Sequence, residues 1–187
     1  MKEKVIAFAK MIDNISFKLN GLSSICIIII TILILAEIIA RKFFNYGFLF
    51  VLEITTYLLA ISWFFSAAYT LRTGGHIRVD ILTSIIKSDR VLRFLEIFAT
   101  ILGIILSLIF FRALLILASD SYFFNKTSFS PLRTPLYIPQ TFLVIGMFFM
   151  LIQMIMRLIL LLINEKTELS VKDFKKNEYK NEMRIEK

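Results

Sequence analysis

Residues 48–80 read FLFVLEITTYLLAISWFFSAAYTLRTGGHIRVD: an apolar run of membrane-crossing length with one carboxylate, Glu53, near its start. It ends in Arg72, Gly74, Gly75, His76, Arg78 and Asp80. A charge at the centre of a lipid-embedded helix costs roughly 2.5–3.5 kcal/mol on insertion scales, so an acid in such a run faces protein, water or the interface rather than lipid tails. Glu53 is therefore expected in a contact, and that contact is where function should be sought.

The rest of the chain supports the membrane reading. It has 187 residues, 58% of them hydrophobic, and 19 Phe, with a mean hydropathy of +0.78. Soluble domains sit near roughly 45–50% apolar and cannot bury this much surface. The net charge of +8 does not point to nucleic acid, because the basic residues cluster at the ends of apolar runs and in the tail. That distribution suits membrane orientation and anionic headgroups. The single cysteine, Cys26, lies inside an apolar run and reads as a small buried hydrophobe. Within one chain, one thiol and one histidine cannot form a disulfide, a four-ligand zinc site or a bis-histidine haem site.

Four runs have the length needed to span a bilayer: approximately 19–40, 48–71, 92–117 and 138–163. Residues 1–18 place Val5, Phe8, Ala9, Ile12 and Ile15 on one helical side with Lys2, Lys4, Lys10 and Lys18 around them. This predicts an interfacial amphipathic helix leading into an uncleaved first span. A second interfacial segment is expected over Ile77 to Asp89, where Ile77, Ile81, Leu82, Ile85 and Ile86 share a face. Residues 164–187 read as a charged tail. The fold class is therefore all-α integral membrane: a four-helix transmembrane domain over 19–163 plus interfacial amphipathic helices. Lys and Arg are concentrated in the N-terminal segment, the loop after span two and the tail. The positive-inside rule then puts both termini and the Gly-Gly-His loop in the cytoplasm.

Few ionisable residues lie at membrane depth. Glu37 and Arg41 are four apart, in the orientation of an i,i+4 ion pair. Arg112 and Arg157 are placed to snorkel towards headgroups, and Arg112 is also in reach of Asp120. Glu53 has no basic residue within a turn or two, so its partner is expected on another helix or another chain. The centres of the spans are almost wholly apolar, as in IIIITILIL of span one, and no Gly/Pro-broken helix pair exposes backbone for a substrate or sodium site. Before span four, Pro131, Pro135 and Pro139 recur every four residues. They exclude continuous helix there and put Pro139 in the first turn of the last helix. This loop reads as a stiff lead-in or as an outward docking surface. No catalytic pattern is present, and His76 reads as a helix-end residue after Gly74-Gly75.

With Glu53 early in span two, Gly75-His76-Ile77-Arg78-Val79-Asp80 at its inner end, and Thr134-Pro135-Leu136-Tyr137-Ile138-Pro139 before the last span with Gly146 inside it, the sequence resembles the small, DctQ-like membrane subunit of tripartite ATP-independent periplasmic (TRAP) transporters over roughly residues 10–165. It departs from that family at Gln140 and Thr141, where tryptophan is frequent, and at Ile145, where proline often precedes the glycine.

The resemblance implies a scaffold subunit, not an enzyme, in the bacterial inner membrane. Its implied partners are a large multi-span subunit holding the substrate and sodium sites and a periplasmic substrate-binding protein. The cargo implied is an organic acid such as a C4-dicarboxylate or sialic acid. No cofactor is expected on this chain, the sodium ions belonging to the partner subunit, and lipids are the remaining partners. Glu53, His76, Arg78, Asp80, Arg133, Thr134, Pro135 and Pro139 are the implied partner-contact or structural positions. The rival reading is a stand-alone four-span protein, either a channel subunit or a lipid-modifying enzyme.

Overall fold

The computed structural model describes residues 2–73 and 89–163. It contains four helices: α1 (Lys2–Phe44), α2 (Leu49–Arg72), α3 (Asp89–Phe123) and α4 (Tyr137–Leu162). Each is long and apolar enough to cross a membrane, which matches the expected all-α membrane fold. The bounds of α2 and α4 follow the apolar runs closely, because each run is closed by residues that cannot continue in lipid or in helix. Asn45, at φ 51°, turns the chain after α1. The expected segment over residues 77–89 and the tail over 164–187 lie outside the described residues, apart from Asp89, which starts α3.

The boundary expected between residues 18 and 19 does not exist as a break. Helix α1 runs unbroken for 43 residues, about 65 Å at 1.5 Å per residue and so far longer than a bilayer core. Its first turns are packed, not set apart: Ala9 and Ile12 are buried with Met156 and Leu160 of α4, and Ile152, Ile159 and Ile163 pack against this cluster. Phe8 is half exposed, while Asp13 and Ser16 turn inward with Ala9 and Ile12. The inward stripe is thus rotated from the purely apolar face, because the buried Asp13 has partners on other helices. Helix α3 also runs past its expected end at residue 117, since Ser119, Asp120 and Ser121 continue it to Phe123.

The helices lie side by side in the order α1, α2, α4, α3, with α1 reaching α4 as well. Along the antiparallel α1–α2 seam, Ser23 Oγ donates to the Ser62 carbonyl at 2.8 Å, and the Phe17 and Tyr69 rings lie 5.9 Å apart. Helices α2 and α4 run parallel and touch closely. A Cβ added at Gly146 would lie 2.8 Å from the backbone carbon of Phe64, so only glycine permits this approach. The antiparallel α3–α4 seam is marked by Ser107 Oγ donating to Met154 Sδ at 3.2 Å and by Phe111 against Phe148. At its end, Arg93 Nη2 donates to the Leu161 carbonyl at 2.8 Å, placing a cation on the negative end of α4. Because α3 rests chiefly on α4, the array is an open layer. Broad apolar surfaces, including Ile28, Ile32, Leu52, Phe98 and Ile109, remain exposed.

Replacing Gly146 by Leu is expected to force α2 and α4 apart and to cost about 1–3 kcal/mol or more, as overpacking does. Gly103→Ala meets only the flexible end of Met154 and is expected to be far milder. Thermal unfolding of both variants in detergent checks this, and equal midpoints would contradict the close α2–α4 contact.

Candidate functional site

Two polar clusters stand at opposite ends of α2. The first is built on Asp13, whose Oδ1 accepts from Arg72 Nε at 3.0 Å and from Gln153 Nε2 at 2.8 Å. The three residues come from α1, α2 and α4, and they are only 1%, 5% and 2% exposed. A carboxylate this deeply buried is tolerable only when paired and hydrogen-bonded. The guanidinium and the amide meet that need and tie three helices to one oxygen atom. Asp13 Oδ2, Ser16 Oγ and Gln153 Oε1 are buried without a protein hydrogen bond, so the cluster keeps unused hydrogen-bonding capacity. Sequence reasoning missed this centre. Arg72 was legible only as a terminal charge, and Asp13 and Gln153 stand 140 residues apart. The available signal was an acid amid the apolar positions of residues 5–15.

The second cluster is built on Glu53, in the second turn of α2. Tyr57 Oη, one turn along the same helix, donates to Glu53 Oε1 at 2.9 Å. Ser130 Oγ, from the loop between α3 and α4, donates to Oε2, and the hydroxyls of Ser128 and Thr134 complete the ring of oxygens around the carboxylate. The expectation that Glu53 makes a contact is met, but its partners are hydroxyls of a loop and of its own helix rather than a group on another spanning helix. Several O–H donors satisfy a carboxylate without a cation.

The loop that carries these hydroxyls is a compact hairpin. Ser128 N–H donates to the Thr134 carbonyl at 2.9 Å, and Leu136 N–H donates to the Lys126 carbonyl at 3.0 Å. Thr127 and Pro135 form an antiparallel bridge. The tip is a β-turn closed from Arg133 N–H to the Ser130 carbonyl at 3.0 Å, with Pro131 at the position whose fixed φ suits it. Arg133 then takes φ 46°, a left-handed conformation that few non-glycine residues adopt.

Of the positions singled out in the sequence, Glu53, Thr134 and Pro135 thus meet in one place. Arg133 is exposed at the hairpin tip, and Pro139 is buried in the first turn of α4. His76, Arg78 and Asp80 lie outside the described residues. The Glu37–Arg41 pair forms as expected, at 2.5 Å, and Cys26 is buried. Among the described residues no group of His, Cys, Asp and Glu is placed to hold a metal ion.

Asp13→Ala leaves the buried guanidinium without its carboxylate and is expected to destabilise the chain by about 3–5 kcal/mol, whereas replacing Asp13 and Arg72 together by Leu and Met is expected to recover much of that loss. Unfolding midpoints in detergent decide it; additive losses would remove the coupling. At the other cluster, Glu53→Ala is expected to free the hairpin and speed tryptic cleavage after Arg133. A cleavage rate unchanged from the parent would show that the carboxylate does not hold the loop.

Comparison with curated proteins and with solved structures returned no match. The family comparison did: residues 30–164 match the model described as "Tripartite ATP-independent periplasmic transporters, DctQ component". That match takes in α2, α3, α4, the Glu53 cluster and the hairpin, and on it the chain belongs to the DctQ family of TRAP transporter components.

Proposed function

We propose that this chain is the small scaffold subunit of a sodium-coupled tripartite importer of an organic acid, of the C4-dicarboxylate or sialic acid class. In this reading it braces a large transport subunit in the inner membrane, and a periplasmic binding protein delivers the substrate. The observation that carries the proposal is the open layer of helices, whose apolar faces exceed what four helices need to hold one another. In lipid, such faces gain from close packing against further helices. The polar groups do not suggest an internal pathway. Asp13 with Arg72 and Glu53 with its hydroxyls lie at opposite ends, and the hydroxyls of Thr55, Ser62 and Thr100 between them bond carbonyls of their own helices. In this reading the sodium and substrate sites belong to the partner. The orientation with both termini in the cytoplasm rests on the distribution of Lys and Arg.

The test is a pull-down of the tagged chain from its native membrane in gentle detergent. A stoichiometric, many-span subunit is expected to come with it, and Glu53→Ala is expected to lower uptake or complex yield. Recovery of the chain alone in every detergent would sink the scaffold reading.

A further inference from the structure

The hairpin between α3 and α4 sits at an unusual level in the array. Helices α2 and α4 are parallel, with Gly146 against Phe64 and Phe142 against Phe65, ring centroids 6.3 Å apart. This register puts the start of α4 beside Tyr57, so α4 begins about two turns, or roughly 12 Å, further in than α2. Helix α3 stops at the same level, since the Tyr122 and Tyr137 rings meet at 5.5 Å. A step is left above α3 and α4, alongside the first two turns of α2. The hairpin fills that step instead of standing clear of the bundle, because Ser130 is bonded to Glu53 at this depth.

What the hairpin presents outward is apolar and cationic together. Phe129 is completely exposed at the tip, between the two serines that face Glu53, and Leu132 is half exposed. Lys126 and Arg133 flank them and are also exposed. The outer turns of the neighbouring spans carry the same kind of surface at this end: Phe43, Phe44, Tyr46 and Leu49 are all strongly exposed. Aromatic side chains with flanking Lys and Arg are the composition of the bilayer's interfacial layer, where rings sit among headgroups and cations reach phosphates.

We propose that this hairpin is a membrane-surface anchor: Phe129 and Leu132 enter the lipid headgroup layer at the α1–α2 turn end, while Lys126 and Arg133 pair with lipid phosphates. The occupant of the surface is the bilayer, because the hairpin continues an aromatic band around spanning helices and is held at their depth by a carboxylate contact. A helix-free segment is permitted there, as its backbone groups are paired within the hairpin and the layer is partly hydrated.

Tryptophan depth measurement tests this. The full chain carrying Trp63→Phe and Phe129→Trp is placed in vesicles of phosphatidylcholine and phosphatidylglycerol. The parent, whose native Trp63 lies exposed near the middle of the span, serves as the depth standard. The tip tryptophan is expected to show blue-shifted emission and loss of iodide quenching relative to the unfolded chain. Lipids brominated near the headgroup are expected to quench it more than lipids brominated near the chain terminus, with the reverse order for Trp63. Red emission open to iodide would overturn the proposal and leave the tip a water-facing surface for a soluble protein. Blue-shifted emission untouched by either brominated lipid would also overturn it, placing the tip against protein.

Discussion

One oxygen of Asp13 holds the arrangement of three helices. In a fold meant for lipid, apolar faces give little preference for one helix register over another, since the surrounding tails are as apolar as the side chains. A buried carboxylate is different, because it is costly everywhere except where its donors stand. By accepting from Arg72 and Gln153, Asp13 sets how far α1 slides along α2 and where α4 sits against both. The close approach at Gly146 and the bond from Ser23 to the Ser62 carbonyl then follow along the same seams. This also explains why the first turns of α1 belong to the core: the residue that sets the register is in them.

Helix α2 carries a charged or polar tie at each end, and the two are solved by different chemistry. At Arg72 the environment is closed, so the acid is met by a guanidinium and an amide with almost no exposure. At Glu53 the environment is half open, and hydroxyls from a turn suffice. The first tie joins helices and the second joins a loop to a helix. A rigid α2 between them connects the geometry of the hairpin to the packing at the far end of the bundle, with glycine-permitted contact along its length.

The parts legible in the sequence were those with a local signature. Apolar runs of spanning length announced four helices, the i,i+4 spacing announced Glu37 with Arg41, and an isolated acid in an apolar run announced that Glu53 is contacted. The identity of the contact was not legible, because Ser130 is 77 residues away and a serine hydroxyl carries no pattern. The three prolines excluded helix before the last span but did not specify a hairpin, whose closure depends on the backbone of Arg133 at positive φ. The Asp13 centre was hidden for a further reason. In a basic, amphipathic N-terminal segment an acid reads as part of the polar face, and only the positions of Arg72 and Gln153 in space turn it inward.

The open layer has a consequence for how such a subunit serves a larger assembly. A closed four-helix ring would satisfy its own apolar faces and meet a partner only at its outer surface. A single layer instead offers two broad faces while depending on polar ties for its internal register. Those ties lie near its ends and leave most of the mid-membrane surface apolar, with Arg112 of α3 exposed among it, so a neighbouring helix can pack along much of the layer without disturbing either tie. The proposed bracing role would thus demand little of individual mid-span side chains. It rests on stiffness, which the Asp13 centre, the Gly146 contact and the Arg93 cap on α4 supply from within the chain.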